Sequence, residues 1–168
     1  PQRADNVPIV IVDVDEFSLK QEGRWPWSRD KLAELVLALQ RQQVKLIGFD
    51  VVFSEAERNP VEQILASKAL LSDTTRNELT PLVSQLDGET KFSQVIHKNT
   101  VLGYFLHAAG GINAGVLPTP LLKVERRDMD KLGINYMPDF TGNLPIFAKS
   151  AVGAGFVSTL PDVDGVMR

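Results

Sequence analysis

The chain has 168 residues, of which 43% are hydrophobic and 23% are charged, and its formal net charge is −3. This composition is typical of one globular domain with a core of its own, and the acidic balance without a basic block argues against nucleic acid as a partner. The chain has no cysteine and only two histidines, which excludes disulfides, thiolate catalysis and three-histidine metal sites.

No apolar run approaches the length that is needed to span a bilayer. The chain begins at Pro1 without a methionine and ends at Arg168 in the middle of a pattern. We therefore expect it to be part of a longer protein, with residues 1–168 forming a single domain.

The first half of the chain alternates between strand and helix patterns. "NVPIVIVDVD" (6–15) is a near-continuous run of β-branched residues, which predicts a strand buried on both faces. "SRDKLAELVLALQRQQ" (28–43) predicts a helix with Ser28 as its N-cap, because apolar residues recur at helical spacing. "VKLIGFDVVF" (44–53) predicts a second buried strand. Strand, helix and strand in this order predict a βαβ unit with parallel strands.

The second half predicts shorter elements. They are a helix over 59–71, helical pieces over 73–98 interrupted near Pro81 and at Asp87–Gly88, a strand over 100–107, a flexible loop over 108–115 and a strand over 153–160. Prolines between 117 and 150 exclude long elements there.

The last residues, "PDVDGVMR", predict a tight turn followed by the start of a partner strand. Asp162, Asp164 and Gly165 have half the spacing of an EF-hand loop, but the other oxygen ligands of that loop are absent. The predicted fold is therefore α/β: an open, mostly parallel sheet with flanking helices and a C-terminal antiparallel hairpin, with a C-terminal part of the domain missing.

Carboxylates follow the first two predicted strands. Asp13, Asp15 and Glu16 end the first strand, and Asp50 lies in the second. Because ligands gather at the carboxyl ends of parallel strands, these residues are candidates for a ligand site. A divalent cation is the one cofactor that such a cluster would hold. The alternative is that the carboxylates cap helices and bind nearby arginines.

The same stretch, "IVDVDEFS", also imitates the signature of haloacid-dehalogenase-like phosphatases, in which the first aspartate is the nucleophile. Phe17 occupies the slot that this signature reserves for threonine or valine. An acidic-site phosphohydrolase is therefore the weakest of the hypotheses, and we expect no hydrolase activity.

Both tryptophans of the chain lie in "EGRWPWSRD" (22–30). Pro26 restricts Trp25 to extended backbone, so Trp25 and Trp27 are expected to form one aromatic face that Arg24 and Arg29 flank. The pair is either a lid that closes the core or the wall of a ligand pocket. We expect one indole to be mostly buried against the helix that follows Ser28, and the other to stay partly exposed beside Asp15 and Asp50.

The order of these motifs resembles the type-two CHASE family. The stretches that carry the resemblance are "VPIVIVDVDEFSLKQEGRWPWSRDKLAELVLAL", "KLIGFDVVFSE" and "AVGAGFVSTLPDVDGVMR". They cover residues 7–56 and 151–168 closely, whereas the middle of the chain matches only in its layout.

The resemblance implies a role and no reaction. Such domains are sensory domains outside the cytoplasm of bacteria, here the periplasmic or extracellular domain of an inner-membrane receptor. Transmembrane helices would connect it to an output domain such as a nucleotide cyclase or a sensor kinase of a two-component system, so that the parent is an enzyme although this domain is not. The partner would be a small-molecule or protein signal, and the parent would be a homodimer. A domain that only dimerises or binds another protein is the alternative.

Overall fold

The computed structural model describes residues 8–67, 71–120, 122, 124–129, 131 and 136–158. This part of the chain contains seven helices and four strands, in the following order: α1 (Glu16–Glu22), α2 (Arg29–Arg41), β1 (Ile47–Phe49), α3 (Pro60–Ala66), α4 (Asp73–Gln85), α5 (Gly88–Ile96), β2 (Thr100–His107), α6 (Arg126–Met129), β3 (Asp139–Thr141), α7 (Pro145–Ser150) and β4 (Gly153–Phe156).

β2 is the central strand of an open sheet. β1 and β4 both pair with β2 in parallel, and β3 pairs antiparallel with its last residues, 105–107. The fold is therefore α/β, with a mostly parallel open sheet and flanking helices, as the sequence predicts. The predicted C-terminal hairpin, with Asp162, Asp164 and Gly165, lies outside the described residues.

Helix ends follow local sequence closely. The side chain of Ser28 caps α2 by accepting from the backbone of Lys31, and Asn59 caps α3 by accepting from Val61 and Glu62. The break at Asp87–Gly88 is also confirmed, because α4 ends before it and α5 begins there. The predicted interruption at Pro81 is wrong, because Pro81 lies inside α4.

The predicted first strand (6–15) does not form over residues 8–15, the part of it that the structure describes. Residues 8–15 belong to no strand, and Ile9, Val10 and Ile11 are 86%, 81% and 86% exposed. β1 is also shorter than predicted, because only residues 47–49 pair with β2. In the part of the chain that the structure describes, the N-terminal βαβ unit is therefore not formed, and the parallel pairs there join β2 to β1 and to β4. A strand needs a partner edge, which local sequence does not specify.

Aromatic rings form the centre of the core. Phe53, Phe92 and Phe147 are each at most 2% exposed, and their ring centroids lie 5.1–5.8 Å apart in edge-to-face arrangements. Apolar residues of α2, β1 and β2 surround the rings: Leu32, Ala33, Val36, Ile47 and Leu102. The core therefore lies between the sheet and the helices α2, α5 and α7.

Asp87 supplies a pH-dependent contribution to stability. Its carboxylate accepts hydrogen bonds from the hydroxyl and the backbone N–H of Thr90, and these bonds lower the pKa of Asp87. Because the folded pKa lies below the unfolded one, the contribution is present above the unfolded pKa of about 4 and is lost as the pH falls through the folded pKa. We expect Asp87→Asn to lower the free energy of unfolding at pH 7 by less than about 1 kcal/mol and to flatten its fall in acid. Denaturation at a series of pH values measures this, and an unchanged acid slope would contradict it.

Candidate functional site

The loop between α1 and α2 carries the tryptophan motif. Asp15 caps α1 by accepting from the backbone N–H and the hydroxyl of Ser18, at 2.8 and 2.7 Å, and this lowers the pKa of Asp15. α1 ends at Gly23, whose φ of +93° favours glycine. The peptide bond between Trp25 and Pro26 is cis. The loop therefore begins at a glycine that ends α1 and contains a cis peptide bond before it reaches α2.

The two indoles have unequal environments. Trp25 is 39% exposed, whereas Trp27 is partly buried and packs against the hydrophobic core. The rings meet edge to face with centroids 5.9 Å apart. The indole N–H of Trp27 donates to the carbonyl of Gly23 at 2.9 Å, and the ammonium group of Lys31 lies 5.5 Å from the Trp27 ring. Trp27 is thus the anchor of the loop, and Trp25 is its exposed face.

The unequal environments of the two indoles predict unequal contributions to stability. We expect Trp27→Ala to lower the free energy of unfolding by about 2 kcal/mol, because it removes core contacts and a hydrogen bond from a partly buried indole. Trp25→Ala is expected to cost less than about 1 kcal/mol, because Trp25 is 39% exposed and is not among the residues that pack against the core. Chemical denaturation of the two single variants measures the difference. If both variants lost the same free energy of unfolding, the two indoles would contribute equally to stability, and the predicted difference would be wrong.

Arg29, the first residue of α2, lies at the centre of a network of charged and aromatic groups. Its guanidinium lies 4.6 Å from the centroid of the Phe53 ring and 5.7 Å from that of Phe147. The same group donates to the carbonyl of Glu55 at 3.2 Å. Its backbone N–H lies 3.2 Å from both carboxylate oxygens of Glu57. Arg29 therefore joins the start of α2 to the segment that follows β1.

Glu89 extends this network to α5. Its carboxylate accepts from the backbone N–H of Glu57 at 2.7 Å. Burial lowers the pKa of Arg29, and the charges of Glu57 and Glu89 oppose that shift. A guanidinium group is not deprotonated in proteins at neutral pH, so Arg29 is a cation. Three separate segments thus share one partly buried positive charge.

Gly88 permits this close approach. A Cβ atom at position 88 would lie 2.7 Å from a carboxylate oxygen of Glu57 and 3.1 Å from the backbone nitrogen of Asp30. The N-terminus of α5 can therefore reach the Arg29 network only because residue 88 has no side chain.

A shallow groove begins beside this network and runs between α2 and α5. Its volume is about 450 Å³, and Asp30 and Lys91 form a salt bridge of 2.9 Å at one end. The remaining lining residues are Ala33, Glu34, Leu37, Gln94 and Val95. The groove therefore combines charged and apolar groups along the facing sides of α2 and α5.

A second polar cluster lies at the other end of β2. One carboxylate oxygen of Asp139 accepts from the backbone N–H groups of Gly110 and Gly111, at 2.8 and 2.9 Å. The side chain of Asn113 accepts from the backbone of Phe140, and a ring nitrogen of His107 lies 2.9 Å from the hydroxyl of Thr141. The predicted flexible loop, 108–115, is therefore held against β3.

The residues that the sequence grouped into one acidic site have different local environments in the structure. Asp15 caps α1, Glu16 is the first residue of that helix, and the exposed residues Asp13 and Asp50 lie outside helices and strands. Within the described ranges, no group of three acidic or histidine side chains could hold a metal ion. The predicted cluster therefore does not form a metal site there, and its role in binding a ligand stays a prediction. The expected position of Trp25 beside Asp15 and Asp50 also stays a prediction.

Of the arginines in the tryptophan motif, Arg24 is exposed and Arg29 is half-buried. Sequence reasoning missed Glu57, Glu89 and Phe147 as partners of Arg29. Only Glu89 had a local signal, because it lies in the first turn of the helix that begins after Asp87. The others are 28 and 118 residues away from Arg29 along the chain, and no local pattern connects such positions.

The comparisons with known proteins identify the family. The family model of the CHASE2 domain matches residues 1–168, the whole chain. No curated protein and no solved structure matches the chain. In the described part of the chain, no helix has the length and apolarity to cross a membrane. CHASE2 domains are sensory and not catalytic, which argues against the phosphohydrolase interpretation of Asp13 and Asp15. The chain belongs to the CHASE2 family of extracellular sensory domains.

Proposed function

We propose that this domain receives a signal outside the cytoplasm and controls a cytoplasmic output domain of a bacterial transmembrane receptor. The output would be a nucleotide cyclase, a histidine kinase or a similar enzyme, so that the parent protein is catalytic although this domain is not. The observation that carries the proposal is the match of the whole chain to the CHASE2 family.

The signal is a small molecule or a protein that meets the exposed part of the tryptophan motif. Arg24 and Trp25 offer a cation and an aromatic face to solvent, and Trp27 and Arg29 connect that face to the core. Four acidic residues remain candidates for the polar part of the surface: Asp13, Asp15, Glu16 and Asp50.

Transmission requires that the signal bind one arrangement of the domain more tightly than another. Arg29 is suited to report such a difference, because it contacts the segment after β1 and the ring of Phe147, which belongs to α7. A ligand that moves the loop by way of Trp25 and Trp27 would change these contacts. The start of α2 would then shift relative to α5 and α7.

A thermal-shift screen with metal ions and metabolites tests this proposal. A ligand at a hundredfold excess over its Kd stabilises the folded state by about 2.7 kcal/mol. We expect Trp25→Ala to lose this stabilisation while it keeps most of its stability without ligand. Arg41→Ala is the matched control, because Arg41 is exposed at the opposite end of α2. A ligand that stabilises the Trp25 variant as strongly as the unchanged protein would contradict the proposed surface.

The alternative function is a dimerisation or protein-interaction domain that needs no small molecule. The specific observation in its favour is the exposed apolar segment Ile9–Val12. The parent is a homodimer in either case, and failure of every ligand in the screen would favour this alternative.

A further inference from the structure

The N-terminal segment 8–14 carries apolar side chains on both sides and is largely exposed. Ile9 and Ile11 are each 86% exposed, Val10 is 81% exposed and Val12 is 55% exposed. Among the described residues, no backbone hydrogen bond joins 9–12 to another segment. Residues i and i+2 of an extended chain share a face, so this run offers apolar side chains in both directions. Such a segment is suited to join a sheet edge.

β1 has such an edge. The backbone N–H of Ile47 donates to the carbonyl of Asn99 at 2.8 Å, so Ile47 and Phe49 direct their backbone groups toward β2. Leu46 and Gly48 consequently direct theirs away from β2. No described strand pairs with β1 on that side, and Leu46 is 60% exposed.

Charge complementarity selects the direction of pairing. Lys45 precedes β1 and Asp50 follows it, whereas the segment 8–14 carries Asp13 near its end. Antiparallel pairing places Asp13 opposite Lys45, and parallel pairing would place Asp13 beside Asp50. Opposite charges across a strand pair stabilise it and like charges destabilise it.

Shape agrees with the same register. With Asp13 opposite Lys45, Ile11 lies opposite Ile47, and Val10 lies opposite Gly48. A Cβ atom at position 48 would meet nothing within 4 Å, so a branched side chain has room beside it. Val12 then covers Leu46, the apolar side chain that is most exposed around β1.

We propose that the segment 8–14 of one chain adds as an antiparallel strand to the edge of β1 in a second copy of this chain. Within one chain, the segment 8–14 does not cover the edge of β1, because Leu46 and the apolar side chains of the segment stay largely exposed. A two-fold pair of chains exchanges the segments and fills both edges at once, because an isologous interface repeats every contact. The inference deepens the homodimer that the proposed function includes, and it names the surface that forms it.

Cross-linking tests the contact directly, because the chain has no cysteine of its own. Val12→Cys and Leu46→Cys are made in separate chains, mixed and treated with a short thiol-specific cross-linker. We expect a cross-linked pair that contains one chain of each kind. A mixture of Val12→Cys with Leu37→Cys is the control, because Leu37 is 41% exposed on α2, away from the edge. Equal yields in both mixtures would overturn the proposal.

The double variant Val12→Cys/Leu46→Cys distinguishes the second copy from the same chain. Links between chains support the proposal. Links within one chain, with none in the mixture of single variants, would overturn it and assign the strand to its own sheet. Sedimentation of the unchanged protein must also show a dimer, and a monomer at the highest attainable concentration would overturn the proposal.

A matched pair of variants measures the strength of the contact. Ile11 and Ile112 are both 86% exposed, but only Ile11 lies in the segment. We expect Ile11→Asp to raise the dimer dissociation constant about a hundredfold, because the symmetric dimer loses two apolar contacts and meets two charges. Ile112→Asp should leave the constant unchanged. Equal effects would overturn the proposal. None of these outcomes depends on a ligand, so failure here leaves the sensory role to be judged by the thermal-shift screen.

Discussion

Replacing Arg29 with alanine is expected to lower the free energy of unfolding by about 3 kcal/mol. The substitution removes the cation that lies over Phe53 and Phe147, and it breaks the hydrogen bond to the carbonyl of Glu55. It also leaves the partly buried carboxylates of Glu57 and Glu89 without their shared positive charge. The estimate lies at the low end of the usual cost of breaking a buried ion pair because Arg29 is only half-buried.

Arg24→Ala is the matched control, since Arg24 belongs to the same motif and is exposed. We expect it to change the free energy of unfolding by less than about 0.5 kcal/mol. Arg29→Lys should recover only part of the loss, because an ammonium group lacks the flat fork that stacks on rings. Denaturation at neutral pH measures all three variants. If Arg29→Ala changed the free energy of unfolding as little as Arg24→Ala, the charge of Arg29 would contribute little to the stability of the fold.

Gly142→Ala is expected to lower the free energy of unfolding by about 4 kcal/mol. Its Cβ atom would lie 2.1 Å from the carbonyl oxygen of Val116, which is backbone and cannot rotate away. The clash would separate two segments that are joined by hydrogen bonds from Gly142 to Ala114 and from Val116 to Asn143, each 2.8 Å long.

Asn143 makes this position more sensitive. Its buried side chain accepts from the backbone of Phe53 and donates to the carbonyl of Gly103, at 2.8 Å in both cases. A shift of residue 142 would break these bonds and leave buried backbone groups without partners. Gly153→Ala is the control, because its Cβ atom would approach nothing closer than 4.0 Å. We expect the control to stay within about 1 kcal/mol of the unchanged protein. A mild effect at Gly142 would mean that the two segments can separate without loss of the core.

Arg29→Ala and Gly142→Ala both test contacts between segments that are distant from each other along the chain. Arg29 links the tryptophan loop to the aromatic core, and Gly142 lets the segment before α7 approach residues 114–116.

The sequence by itself determined the features that depend on neighbouring residues. The amphipathic helix after Ser28, the caps at Ser28 and Asn59, and the strand at 100–107 all appear where the sequence predicts them. The unequal environments of Trp25 and Trp27 were also predicted, because one indole is enough to anchor a short loop. Helix caps and apolar periodicity act over a few residues, so local sequence specifies them.

Only the tertiary structure decided which segments pair and which charges meet. The β-branched run at 8–14 has the composition of a buried strand, but pairing requires a free edge with matching register, and within one described chain the run stays exposed. Local sequence also does not specify the partners of Arg29. The tryptophan motif indicates that Arg29 is important, but Glu57 and Glu89 come close to it only when α2, α5 and the segment that follows β1 pack together. Sequence patterns encode the preferences of each segment, and the partner of each segment is determined by the packing of the whole chain.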